Sequence, residues 1–165
     1  MNLELLNAAP ELEARSMLSR CCGSRRWVEG VLGRRPFADA DSLLRAAAQV
    51  ESTLDRADWL EAFAAHPRIG DVDGLRKKFA ATAHWNEAEQ AGVAGAAEEV
   101  LHDLARDNAL YEQRFGHIFI VCATGKSAPE MLGLLRQRLS NHAEDEWRIA
   151  AAEQGKITRL RLEKE

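Results

Sequence analysis

Few residues of this chain have both the type and the spacing for chemistry. His66-Pro67 could be only a helix terminator, yet a histidine at a helix C-terminus beside a glycine-containing loop is well placed to move a proton near neutral pH. The helix-end carbonyls would favour its protonated form. The run Asn86-Glu87-Ala88-Glu89-Gln90 concentrates carboxylates and amides, yet Asn86 and Glu89 also have the N-x-x-E spacing of a helix cap and its return partner. Arg161 could be only a surface charge on an amphipathic terminal helix. His117–Ala123, HIFIVCA, could be only core. Metal chemistry finds little support. Glu99–His102 is a single E-x-x-H pair, where a di-iron bundle wants two, and the cysteines fit no zinc pattern. Glu98–His102 and His142–Glu146 have the i,i+4 spacing more typical of surface ion pairs than of ligands. No nucleotide-binding, nucleophile-elbow or zinc-protease motif occurs.

Composition bounds the rest. With 165 residues, 46% of them hydrophobic, the chain can build one sizeable core, and a single domain over 1–165 is expected. A net charge of −4 argues against a nucleic-acid binder. No apolar run approaches the ~18–20 residues that cross a bilayer, so no membrane partner is expected. The opening MNLELLNAAPELEAR has the pattern of neither a secretory signal nor a transit peptide, and the ending EKE is no peroxisomal address. Cys21, Cys22 and Cys122 form no C-x-x-C and cannot all pair internally, which points to a reducing, cytoplasmic setting. Cys122 reads as a small buried hydrophobe.

The elements that must position these residues read as helices throughout. Periodicity and caps predict helices over 10–22, 24–32 and 41–56, then one begun by Asp58 and Glu61 and ended at His66. A loop is predicted over 67–74. A long helix is predicted from Asn86 to about Phe115, with Gly92 and Gly95 as places to bend or break. Ser127, Glu130 and Pro129 start a helix to about Leu139, and the last helix runs over 142–162. His117–Ala123 disagrees, being β-branched and apolar with no partner strand in the sequence. It reads as a buried extended or irregular segment inside an all-α domain, whose backbone groups a polar ligand could satisfy. Arginines crowd residues 15–35 and acids crowd 86–114, as two solvated faces, complementary halves of a subunit contact or, least supported because the arginines lack interleaved aromatics, a nucleic-acid patch.

Four segments in this order and spacing resemble the 2-oxo-4-hydroxy-4-carboxy-5-ureidoimidazoline (OHCU) decarboxylases of urate breakdown. They are AHPRIGD (65–71), WNEAEQAG (85–92), NALYEQRFGHIFIVCA (108–123) and KITRLRL (156–162). The resemblance covers roughly residues 5–163. It implies an all-helical, cofactor-free and metal-free lyase, usually a homodimer, that converts OHCU to (S)-allantoin after urate oxidation and hydrolysis. Hydroxyisourate hydrolase is then the expected functional partner.

Carried over residue by residue, His66 is the implied catalytic histidine, followed by Pro67. The family's S-x-x-E-Q stretch becomes Asn86, Glu87, Ala88, Glu89 and Gln90, with Asn86 where serine is common. Asparagine still donates and accepts hydrogen bonds. Phe119, Ile120, Val121, Cys122 and Ala123 match the segment whose backbone lines the substrate, and Arg161 matches the arginine of the LRL element. The implied catalytic residues are His66, Glu89 and Arg161. His84 and His117 match no marked position. Two other readings stay open from the residues alone: a non-catalytic helical interaction module, and a decarboxylase of a related ureide.

Overall fold

A computed structural model describes residues 1–66, 72–75 and 90–164, with side chains described outside 90–96. Its helices are α1 (Leu3–Ala8), α2 (Glu11–Cys21), α3 (Arg25–Leu32), α4 (Ala40–Glu51), α5 (Arg56–Ala64), α6 (Gln90–Phe115), α7 (Ala128–Leu139) and α8 (Ala143–Lys164). Among the described residues there is no strand, in keeping with the all-α expectation. No described helix is long and apolar enough to cross a membrane.

Local side-chain chemistry sets most boundaries. Ser24 accepts the Trp27 N–H at the start of α3, and Ser127 with Glu130 closes a reciprocal cap on α7, where proline occupies the first turn. Four features differ from the sequence reading. The predicted helix 41–56 stops at Glu51, because Asp55 caps the next helix and accepts the N–H groups of Ala57 and Asp58. Asp58 is therefore the return partner of that cap, not its first residue. Asn2 caps the short α1, which was not anticipated. Residues 72–74 belong to a helical turn at 72–75 instead of a loop, while 67–71 and the predicted Asn86–Glu89 cap lie outside the described residues. Helix α6 continues through Gly92 and Gly95.

The chain groups into two compact units. One comprises Met1–His66, Ile120–Cys122 and Ile149–Glu165. Its core gathers Leu6, Leu18, Trp27, Val31, Leu43, Val50 and Leu162. Gly30 lets α3 approach α4, since a Cβ there would lie 2.8 Å from a Val50 methyl. The arginines of residues 15–35 are largely engaged inside this unit. Arg15 pairs with Glu11 and Glu29, Arg25 with Glu61, and Arg26 with Asp58, while Arg34 and Arg35 donate to the carbonyls of Ala46 and of Leu6 and Ala9.

The second unit comprises Pro67–Phe119 and Ala123–Arg148. Its centre is a buried ion pair inside an aromatic cage. Arg138 donates to Glu146 at 2.8 and 2.5 Å, Asn141 donates to the other carboxylate oxygen at 2.8 Å, and the Tyr111 hydroxyl donates to Glu146 as well. The sequence reading put Glu146 in a surface pair with His142. Instead its side chain is fully buried and faces Arg138. Burial, then the Glu146 hydrogen bond, push the Tyr111 hydroxyl well above the usual phenol range, so it remains a donor. The Tyr111 ring meets His117 and Phe119 edge-on, and the Arg138 guanidinium stacks 4.6 Å from the Phe119 ring centre.

That cage accounts for the irregular segment. Gly116, at φ +74°, ends α6 in the left-handed conformation that favours glycine. Residues 117–123 then run neither helical nor as a strand. Phe119 and Ile120 are buried, but Cys122 is half-buried, where the sequence reading buried it. Apolar patterning shows which residues avoid water, and Cys122 lies next to the surface turn at Thr124 and Gly125.

Removing one partner of a buried ion pair strands the other charge, at a typical cost of about 3–5 kcal/mol. Arg138→Met is expected to destabilise the protein by that amount in chemical denaturation. The double variant Arg138→Met, Glu146→Leu should recover much of the loss. A single variant within about 1 kcal/mol of wild type would contradict this role.

Candidate active site

The candidate site within the first unit starts where α5 ends. Ala65 is its C-cap, and the His66 N–H returns to the Phe63 carbonyl at 3.1 Å. Gly23 permits a close approach there, since a Cβ at that position would fall 2.2 Å from the Ala65 methyl. The half-buried His66 ring places Nε2 2.7 Å from Oε1 of Gln154 on α8. Gln154 is fully buried, and its Nε2 donates to Thr158 Oγ1 at 3.3 Å. The Thr158 hydroxyl donates in turn to the Gln154 carbonyl at 3.0 Å.

Positions 154, 158 and 161 follow i, i+4, i+7 spacing, so they share one face of α8. Arg161 donates through Nη1 to the carbonyls of Arg20 and Cys21, at 3.3 and 3.2 Å, where α2 ends. Next to Gln154, Glu153 accepts the Cys122 N–H at 2.7 Å and pairs with Lys156 at 2.5 Å. One backbone donor of the irregular segment is thus bonded within the protein.

Two titratable groups border this row. Burial pushes the Cys22 thiol up to about 11, outweighing its Ser24 and Thr158 hydrogen bonds, so it is a neutral thiol. Burial likewise pushes the Glu51 carboxyl up to about 7. Glu51 lies against Gly155, where a Cβ would come within 3.2 Å of its carboxylate. Among the described residues, no group of three or more His, Cys, Asp or Glu side chains is placed to hold a metal ion.

The structure therefore puts His66, Cys122 and Arg161 in the first unit, each bonded as given above, together with Ile120 and Val121. Phe119 and Ala123 belong to the second unit, as does His117 in its aromatic cage. Pro67, His84, Asn86, Glu87, Ala88 and Glu89 lie outside the described residues, and Gln90 is described only as the first residue of α6. Sequence reasoning missed Gln154, Glu153 and Thr158. The available signal was polar side chains at helical spacing from Ala150 and Leu162, on the face of α8 that is buried.

Fold and site define an all-helical protein that presents a half-buried histidine on a buried amide. Residues 7–163 match the family model of OHCU decarboxylase, and the chain belongs to that family. It is 37% identical over 147 residues to the uric acid degradation bifunctional protein of Arabidopsis thaliana, covering 87% of this chain and 44% of that one. The chain thus spans less than half the length of that relative. It is 31% identical over 129 residues to the 2-oxo-4-hydroxy-4-carboxy-5-ureidoimidazoline decarboxylase of Amia calva, covering 78% of this chain and 73% of that one. A crystal structure of OHCU decarboxylase in the presence of (S)-allantoin superposes with a TM-score of 0.72 at 32% identity, over 94% of this chain and 97% of that one.

Glu51 makes stability depend on pH with a definite sign. Its carboxyl ionises near 4.5 ordinarily and at about 7 in the fold, so the folded state holds the extra proton between those values. The contribution is complete below about 4.5 and is lost as pH rises through about 7. Glu51→Gln is expected to flatten this dependence. Urea midpoints of wild type and variant should diverge progressively across that window, the wild type falling relative to the variant. Parallel curves would contradict it.

Proposed function

We propose that this chain is a cofactor-independent carboxy-lyase that converts OHCU to (S)-allantoin in urate degradation, with residues 1–165 acting as one catalytic domain. It works as a cytoplasmic homodimer, next in sequence to hydroxyisourate hydrolase. The observation that carries the reading is His66 held on the buried Gln154 amide in a chain of this family.

The substrate explains why so few groups suffice. OHCU carries its carboxylate on a carbon adjacent to a C=N bond. When CO₂ leaves, the pair of the broken C–C bond becomes a C=C bond to the ureido-bearing carbon, the C=N π pair passes to the ring nitrogen, which takes a proton from water, and a neutral enol forms. The substrate is its own electron sink, so the reaction requires no pyridoxal, thiamine or metal. The ureido-bearing carbon must then receive a proton from one face, while the hydroxyl loses its proton to become the ring carbonyl. Protonation from either face without control gives racemic allantoin.

His66 moves the proton, and a positioned acid or base contributes ~10²–10⁴-fold, about 3–5 kcal/mol of barrier. Glu89 holds the imidazole or the substrate hydroxyl. Arg161 stabilises the oxyanion as it develops, because pairing with the ground-state carboxylate alone would not speed its loss. Its Nη1 contacts with the end of α2 support this role by fixing the guanidinium plane. Pro67, Asn86, Gln90 and the backbone of 87–88 and 119–123 select the face that meets His66.

The test uses OHCU made in place from urate with urate oxidase and hydroxyisourate hydrolase, followed by circular dichroism. Rapid appearance of a single (S) enantiomer with CO₂ release is expected. Racemic product at the uncatalysed rate would overturn the assignment. In the same assay Glu89→Gln is expected to lower kcat at least about tenfold while the denaturation midpoint holds. Equal damage to rate and stability would make Glu89 a helix-cap partner only.

A further inference from the structure

We propose that Gln154 is a positioning residue that keeps a proton on Nε2 of His66 and so makes Nδ1 the nitrogen that exchanges protons with substrate. The inference rests on the reading of His66 as the proton-transfer residue and says which atom of the ring does the work.

The direction of each bond follows from the network. A threonine hydroxyl has one proton, and that of Thr158 is given to the Gln154 carbonyl at 3.0 Å. Toward the Gln154 side chain, 3.3 Å away, Thr158 can therefore only accept. This turns the amide NH₂ toward Thr158 and leaves Oε1 facing His66. An amide oxygen only accepts, so the ring nitrogen 2.7 Å from it must carry hydrogen. Gln154 and Thr158 are both fully buried, so water does not compete for the amide. A reversed amide would set NH₂ against Nε2 and would take the hydroxyl proton of Thr158 away from the Gln154 carbonyl. The neutral thiol of Cys22, beside Thr158, adds no charge that would favour reversal.

With Nε2–H retained throughout, the chemistry falls to Nδ1, and of the two roles proposed for Glu89 only the one on the substrate hydroxyl is compatible with it. In the imidazolium form the Nδ1–H bond breaks, and the electron pair of the enol C=C bond takes that proton to form the C–H bond at the ureido-bearing carbon. The enol hydroxyl proton leaves to water as the ring carbonyl closes. The imidazole keeps its Nε2–H on Gln154 and regains a proton at Nδ1 from water.

The experiment is ¹⁵N NMR of the full chain labelled at histidine, with the His66 signals assigned by their loss in His66→Asn. Above its titration, wild-type His66 is expected to show a pyrrole-type Nε2 and a pyridine-type Nδ1. Gln154→Leu should mix the two tautomers and lower kcat at least about tenfold with little change in KM. Gln154→Glu, which still accepts from Nε2–H, should keep the tautomer, recover part of kcat and move the pH profile upward. A pyridine-type Nε2 in the wild type would overturn the proposal, and that reading needs only the assignment variant His66→Asn to fold, not a change at Gln154. A Leu variant with wild-type tautomer and kcat would overturn it too. Wild-type protein that leaves OHCU untouched would refute the functional reading instead, while the tautomer would still be decided by the spectrum.

Discussion

Among the described residues, the hydrogen bond between His66 and the buried Gln154 side chain is the contact on which the candidate site depends. His66 follows the last turn of α5, where the chain has left the helix. Gln154 belongs to the interior of a long helix, and its amide is tied to Thr158 one turn later. A side chain at a helix end is thus referenced to the middle of a rigid element. Sites built this way hold a catalytic group more tightly than loops do. The Gly23 approach to Ala65 serves the same end, because a larger residue there would displace the end of α5 that delivers His66.

Two polar arrangements do different work. The Arg138–Glu146 pair with Tyr111 is deeply buried and holds Phe119 in the second unit. Replacing such a pair with apolar residues is often tolerated, whereas removing one partner strands the other charge. The row on α8 pairs neutral groups, histidine with amide and amide with hydroxyl.

How much could be read in advance follows from range in sequence. Ser24, and Ser127 with Glu130, announce their helices because a cap and its targets lie within three residues. The α4–α5 boundary departs from the sequence reading because Asp55 and Asp58 both have cap chemistry, and in the fold Asp55 takes the cap with Asp58 as its return partner. The HIFIVCA segment was recognisable as anomalous, but its cage brings Tyr111 together with Arg138 and Glu146, which pattern alone does not pair. Gln154 was the hardest to see. Its partner lies 88 residues away, and a single polar residue on an apolar helix face does not reveal what it bonds. His66 and Arg161 were reached through family resemblance, not through periodicity.

The most direct test is the turnover of His66→Asn on freshly generated OHCU, read beside its denaturation midpoint. A proton-transfer role requires a fall of ~10²–10⁴-fold in kcat with the fold intact. A folded variant that stays within about threefold of wild type would show that His66 does not carry the proton.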